Sequence, residues 1–393
     1  METNKILLDI FLIFGGAAVL STMVLLSRQS LLVAYMLLGI LFGPWGLKLV
    51  PDLNLAKDIG DIGIIFLLFL LGLELDPRDL WNMLTKVSII SILSSIVFFS
   101  IGAIVPALFG FNFVECMVIG IAMMFSSTII GLKLLPVTTL HHHRIGEVMI
   151  SILLLQDLIA IFVMLFLHGM STPSPYWEDF GIAMITLPAL LFIGCIGERF
   201  LLRPLLSRFQ SVEEYIFLVA IAWCLGLAKL AAQFGLSYEI GAFIAGVAIA
   251  EGPIAHSIAH RMAPIRDFCL VMFFFAIGAQ FDLQAIRSIW LPAVLLSFLM
   301  VAVKPMLFRF LLKKSGESSI VADEASVRLG QGSEFSILLG VMAYGLMPTM
   351  ISVKTSYLIQ ATTMITFVVS CYWVVIKYQT PVTFGKKTKQ NSK

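Results

Sequence analysis

Ile145 to His168 reads IGEVMISILLLQDLIAIFVMLFLH. A helix needs roughly 20 apolar residues to cross a bilayer, and this stretch is long enough. Gln156 and Asp157 stand near its middle. A carboxylate at that depth costs about 2.5–3.5 kcal/mol on insertion scales, and such acids by default bind a cation, carry a proton, or do both in turn. The alternative is a carboxylate paired within the bundle for structure alone. Gln156 adds an amide oxygen that coordinates a cation without a second titratable proton. By itself, a buried glutamine equally serves as a helix-to-helix hydrogen-bonder.

The rest of the chain is of the same character. Its 393 residues are 59% hydrophobic and 13% charged, with mean hydropathy +0.99. Soluble domains carry about 25% charged residues. The continuous apolar runs suit membrane helices rather than the alternating strands of a barrel. No small-residue cleavage site follows the first run, which reads as a span and not a removable signal. The five cysteines, Cys116, Cys195, Cys224, Cys269 and Cys371, show no paired spacing, so buried thiols are expected rather than disulfides or a metal site.

Apolar windows place thirteen spans at about 6–26, 31–50, 59–75, 86–109, 114–136, 145–168, 180–200, 213–234, 238–252, 264–281, 288–312, 325–346 and 351–376. With the N-terminus outside, nineteen of the 26 lysines and arginines fall in inside loops and the tail, five fall outside, and Lys229 and Lys304 lie within spans. That bias predicts an outside N-terminus, a cytoplasmic C-terminus and an odd span count. Spans 1–6 and 8–13 then form two inverted six-helix repeats joined by span 7. No residue-level repeat is legible, so this correspondence rests on counting. It pairs span 5 with span 12, and both are interrupted. Span 5 holds Ser126-Ser127-Thr128 before Gly131, and span 12 opens with Leu329-Gly330-Gln331-Gly332-Ser333-Glu334. Glycines and hydroxyls at matching places point to broken helices around a midplane site. The expected fold is all-α, with crossed broken helices.

Lys304 lies inside span 11, before Pro305. A buried ammonium needs a carboxylate, and Asp157 is the obvious partner; the alternative is snorkelling to the inner surface. Gln331 and Glu334 are candidates to line an ion route, although Glu334 could instead sit near the cytoplasmic end and pair with a loop base. Lys229, near the outer end of span 8, is expected to snorkel, and Glu239 stands close by in sequence. His141, His142 and His143 fall in an inside loop. They read as a pH sensor, a loose metal site or solvated loop residues, since adjacent histidines lack the spacing of a closed site. The tail, 379–393, is basic and suits anionic lipid at the cytoplasmic face.

Several signatures are absent. No phosphate-loop motif is present, which disfavours ATP-driven pumping. No TVGYG-type filter argues for a potassium channel of that kind. No polar segment is long enough for a nucleotide-binding domain. No enzyme chemistry, cofactor or nucleic-acid partner is expected.

Seven short stretches carry a family resemblance. Tyr35–Leu47 is YMLLGILFGPWGL, Phe66–Pro77 is FLLFLLGLELDP, Ser126–Thr128 is SST, and Leu153–Asp157 is LLLQD. Leu236–Glu251 is LSYEIGAFIAGVAIAE, Phe273–Asp282 is FFFAIGAQFD, and Gln331–Phe335 is QGSEF. Together, and in this order, they resemble the monovalent cation:proton antiporter-2 family, in particular its Kef-type potassium efflux branch. The resemblance implies a sodium/proton-antiporter-like fold and a homodimer. It implies a scaffold from spans at about 6–75 and 213–281 and a moving core from spans at about 86–168 and 288–376, within a membrane domain covering 1–378. Members with a Gln-Asp pair are generally taken as potassium–proton exchangers, whereas Asn-Asp or Asp-Asp members more often move sodium. By the same resemblance Lys304 is the core lysine that pairs with the acid. The sequence departs from the Kef pattern at HSIAHRMAPIRD (256–267), a basic stretch read as the loop after the ninth span, where an acidic regulatory loop is typical. Glutathione gating therefore does not carry over. Kef-type proteins also usually continue into a cytoplasmic nucleotide-binding domain, which the sequence to Lys393 does not include.

The expectation is thus a multi-pass protein of a bacterial inner membrane. It exchanges potassium, or alternatively sodium, for protons, with Asp157, Gln156, Ser127 and Thr128 at the cation/proton site. One exchangeable acid implies electroneutral exchange. A potassium-efflux channel and a transport-dead sensor are the competing classes. A separate cytoplasmic regulatory subunit would fit the basic inner surface.

Overall fold

Apolar runs of this length have one economical conformation in lipid: a helix satisfies its own backbone, and no water is there to do so instead. The computed structural model describes residues 2–27, 29, 31–74, 77–127, 144–170, 176–209, 212–234, 236, 238–250, 255–281 and 286–378, and every regular element among them is a helix. In chain order these are α1 (Glu2–Leu26), α2 (Leu31–Phe42), α3 (Asn54–Glu74), α4 (Pro77–Leu108), α5 (Phe113–Met123), α6 (Arg144–Met170) and α7 (Tyr176–Gly197). A π-turn, Glu198–Leu202, leads into α8 (Arg203–Arg208). Then follow α9 (Glu213–Gln233), α10 (Tyr238–Ala250), α11 (Ala255–Gln280), α12 (Ile286–Lys314), α13 (Ser319–Arg328), α14 (Glu334–Leu346) and α15 (Val353–Lys377). Among the described residues, six helices contain stretches long and apolar enough to cross a membrane, and α2, α5, α10 and α14 are shorter apolar helices.

The chain divides into two compact units. One comprises residues 1–18, 35–85 and 159–282, the other 19–34, 86–158 and 283–393.

In the first unit, α3 packs against α10 and α11, and α9 packs against α10. Phe69, Phe274, Phe275 and Met36 are fully buried there. Two helix crossings lack side chains altogether. A Cβ on Gly39 would overlap the Phe275 carbonyl oxygen, and one on Gly278 would overlap that of Met36. A Cβ on Gly246 would overlap the Phe69 carbonyl oxygen, and one on Gly72 that of Phe243. Small residues let backbones approach closely enough for such contacts. The two crossings are copies of one another: in each, a glycine meets the carbonyl three residues before its partner glycine. This aligns Phe69-x-x-Gly72-x-x-x-Asp76 with Phe275-x-x-Gly278-x-x-x-Asp282. The glycine contacts thus match position for position at the two crossings, a correspondence not legible in the sequence alone. It went unread because only the positions at the crossing are constrained.

In the second unit, α12 packs against α13 and α15, α14 packs against α5 and α15, and α15 also touches α5. Phe98 of α4 stacks edge-on against Phe308 of α12, with ring centroids 5.4 Å apart. In sequence, Pro106-Ala-Leu-Phe-Gly-Phe at the end of α4 resembles Pro305-Met-Leu-Phe-Arg-Phe within α12. Asn112 and Glu115 form a reciprocal capping box at the start of α5. The same two side chains reach the approach to α15: Glu115 accepts from the Ser352 N–H at 2.9 Å, and Asn112 donates to the Met350 carbonyl at 3.0 Å. At the opposite ends of α12 and α13, Asp323 lies 2.6 Å from Arg309 and 3.4 Å from Lys313. Burial works to raise the Asp323 carboxyl, but hydrogen bonds and charge from Arg309 and Lys313 outweigh it and hold it below its usual value.

Several element ends differ from the expectation. Span 2 stops as a helix at Phe42, because Gly43-Pro44 turns the chain and proline removes a backbone donor. Residues 256–267, expected as a loop, instead build the first turns of α11 with Pro264 inside the helix. Arg261 bonds Ser257 within it, at 3.2 Å. Span 12 is two helices, α13 and α14. No disulfide joins the cysteines, but Cys195 is exposed rather than buried. Lys229 lies 5.8 Å from the centre of the Tyr238 ring. His141, His142, His143 and the tail from 379 lie outside the described residues.

Gly278→Val should destabilise the protein by about 1–3 kcal/mol or more, since overpacking here meets backbone and not a movable side chain. Gly226→Val should be silent, because a Cβ there meets nothing within 4 Å. Thermal unfolding in detergent checks both. A depressed carboxyl stabilises above its unfolded pKa, about 3.9 for aspartate, and that contribution is lost as pH falls through the lower folded value. Asp323→Asn should therefore flatten the acid side of the stability profile below about pH 4 relative to the parent.

Candidate functional site

A helix that stops inside a membrane leaves its last carbonyls and the next helix's first N–H groups without partners. The second unit contains two such stops, and each supplies what the other lacks. α5 ends at Met123, followed by non-helical residues through Ser127. α13 ends at Arg328, and α14 begins at Glu334 behind the N-cap Ser333. The Ser126 hydroxyl donates to the Leu329 carbonyl at 3.0 Å. Gln331 Nε2 donates to the Ser127 carbonyl at 3.4 Å. The Ser336 hydroxyl, in the first turn of α14, donates to the Ala122 carbonyl in the last turn of α5.

Lys304 of α12 joins both breaks. Its side chain is 1% exposed, so it does not snorkel. The ammonium donates to the Phe125 carbonyl at 2.6 Å and the Gln331 carbonyl at 3.2 Å, and it lies 5.1 Å from the centre of the Phe98 ring. Both carbonyls follow helix C-termini, where the macrodipole is negative and a cation is favoured. Glu334 stands at the first position of α14, where the opposite end of the dipole favours an anion. It is buried beside the break. In the α4–α12 correspondence Lys304 has Val105 as its counterpart, so the ammonium belongs to one half alone.

Gln156 of α6 is fully buried. Its Oε1 accepts from the Ser126 N–H at 3.1 Å, and its Nε2 donates to the Met124 carbonyl at 3.2 Å. The amide thus props the first break open and retains one lone pair for another donor or a cation. Asp157 follows it on α6, but its side chain, like Thr128, lies outside the described residues. Ser127 is fully buried in the first break. Gln331, 1% exposed, also accepts from the Ser370 hydroxyl at 3.0 Å. Among the described residues no three-residue group of histidine, cysteine or acid is arranged to hold a metal ion.

Gln156, Ser127, Lys304, Gln331 and Glu334 all border the two breaks, as their sequence positions suggested. Sequence reasoning passed over Ser336, Ser370 and Thr366, whose hydroxyl accepts from the Gly332 N–H at 3.0 Å. The signal was present: α15 carries Ser356, Gln360, Thr362, Thr363, Thr366 and Ser370 in an otherwise apolar run.

The family model described as "Sodium/hydrogen exchanger, transmembrane" matches residues 10–377. Among solved structures, the sodium proton antiporter MjNhaP1 from Methanocaldococcus jannaschii, determined at pH 8, superposes with a TM-score of 0.71 at 14% sequence identity. The likeness covers 95% of this chain and 99% of that one. At such low identity it speaks to fold, and the expected sodium/proton-antiporter-like architecture is the fold of this chain.

Lys304→Met should destabilise the protein by about 2–6 kcal/mol, because two buried carbonyls lose their charged donor at about 1–3 kcal/mol each. Lower melting than the parent in detergent is the expected readout.

Proposed function

The chain belongs to the sodium/hydrogen exchanger family, and from that premise we propose that it exchanges a monovalent cation for protons across a membrane by alternating access. The observation that carries the reading is the crossing of two broken helices, knit together by Lys304 and by the glutamine that precedes Asp157. Asp157 binds either a proton or a cation, never both at once. The Ser127 and Thr128 hydroxyls, the free lone pair of Gln156 and carbonyls of the first break complete the cation's shell. Lys304 holds the negative helix ends and competes with the cation for Asp157. Gln331 and Glu334 line the route. One exchangeable acid gives one-for-one, electroneutral exchange.

The unit built from 1–18, 35–85 and 159–282 serves as the scaffold and carries the homodimer contact. The unit containing Lys304 and the breaks is the moving core. Its site crosses the membrane only when Asp157 is neutralised, since a bare carboxylate at the bilayer centre costs about 2.5–3.5 kcal/mol. The N-terminus faces outside and the C-terminus the cytoplasm of a bacterial inner membrane, where a separate regulatory subunit finds a basic surface. Sodium fits at least as well as potassium: the family description and MjNhaP1 are both labelled for sodium. The Gln156-Asp157 pair and the Kef-like stretches speak for potassium. Selectivity follows from the number and freedom of the surrounding oxygens.

In proteoliposomes, adding sodium, potassium or rubidium should release protons, and the cation with the largest effect identifies the substrate. Asp157→Asn should abolish that release, and full exchange by this variant would sink the reading. Lys304→Gln should move the pH profile of exchange; an unmoved profile would remove the competition between lysine and cation.

A further inference from the structure

The sequences of α6 and α15 also match at several positions. Ser151-x-Leu153 and Phe162-Val163 in α6 match Ser356-x-Leu358 and Phe367-Val368 in α15, at the same spacing. The alignment sets Asp157 against Thr362. In place of an acid, the second half carries neutral oxygens. Gln360 Oε1, Thr362 Oγ1 and Thr363 Oγ1 are buried and have no hydrogen-bond partner among the described residues; the three residues are at most 3% exposed.

These atoms fall in a gap between two bonded groups. Toward the start of α15, Gln360 Nε2 donates to the Ser356 hydroxyl at 3.1 Å. Toward its end, Thr366 Oγ1 accepts from the Gly332 N–H and donates to the Thr363 carbonyl at 2.8 Å, and Ser370 bonds Gln331, whose carbonyl holds Lys304. Gly332 presents bare backbone to this face. A Cβ there would lie 3.1 Å from Thr366 Oγ1 and 3.4 Å from Thr363 Oγ1. Residues 360 and 363 are neighbours on one helix face, with Cβ atoms roughly 5–6 Å apart. Buried polar atoms left bare are costly, and polar sites of this kind are where proteins keep internal water. A cation is the poorer occupant, since the set carries no negative charge and the Lys304 ammonium is bonded to the adjoining Gln331 carbonyl.

We infer that α15 holds a file of bound water, bridging Gln360 Oε1 and Thr363 Oγ1 beside Gly332, and that protons reach the broken-helix site along it from the side on which α15 begins. The proton enters at the exposed start of α15, where Ser352 and Lys354 reach solvent, and passes between waters to the buried Ser356 and beyond; no covalent bond other than O–H exchanges. The role in proton supply rests on the antiport reading; the hydration does not.

Two measurements on the full chain separate these statements. In proteoliposomes, Thr363→Val should lower the maximal exchange rate about tenfold, as expected when one hydrogen bond in a transfer path is lost, with the half-saturating cation concentration unchanged. Thr363→Ser should retain the parent rate. A parent-like rate in the valine variant overturns the proton path. So does a shifted half-saturating cation concentration at unchanged rate, which would make the hydroxyl a cation ligand. In detergent, Thr363→Val should lower the melting temperature, because the valine strands a bound water; a rise would mean that the hydroxyl was bare and overturns the hydration itself. Gln360→Leu carries the same readings if the valine variant yields no folded protein. If the parent shows no exchange with any cation, the antiport reading fails, and melting alone decides whether the file is hydrated.

Discussion

Everything in the second unit depends on one constraint: a helix interrupted within lipid must find partners for the backbone groups it exposes. α5 stops with carbonyls unspent, and the segment between α13 and α14 has the same deficit. Lys304 answers both, through Phe125 and Gln331. An ammonium is well suited, since it offers three donors and a positive charge where two helix dipoles end negatively. A lysine does it in a site that is closed.

The two units solve different problems with different residues. Where backbones must touch, at the Gly39–Gly278 and Gly72–Gly246 crossings, side chains have been removed. Van der Waals contact over bare backbone gives a stiff joint, because no rotamer is available to yield. Where the chain must stay irregular, serines, threonines and amides are added, and nearly every bond runs from a side chain to a carbonyl or N–H. That network offers alternative partners at modest cost, since each net hydrogen bond contributes only about 0.5–1.5 kcal/mol. A rigid pair of crossings and a re-partnering crossing of breaks are what a scaffold and a mobile core require under the antiport reading.

Much of this was legible in the chain. Apolar length marked the spans, and Ser126-Ser127-Thr128 and Leu329 to Glu334 marked the interruptions, because glycine and hydroxyl residues are what an irregular membrane segment needs. The ends were not legible. α2 stops at Gly43-Pro44, whereas α11 runs on past Pro264, and local composition does not separate those cases. Lys304 stood out as a buried charge, but its carbonyl partners did not, because every residue has a carbonyl and only tertiary placement selects Phe125 and Gln331. The repeat escaped for a related reason. Its identities are few and are separated by positions where any apolar residue serves.

The counterpart of Lys304 is Val105. Two halves related by an in-plane axis, and otherwise equal, would present the same groups to both faces of the membrane, so the molecule turned upside down would be the same machine. One ammonium in one half ends that equivalence. The two breaks then differ in charge, and an ion approaching from one side meets a different field from an ion approaching from the other. Sidedness then follows from the side chains that the matched segments do not share, Lys304 against Val105 and Asp157 against Thr362 among them.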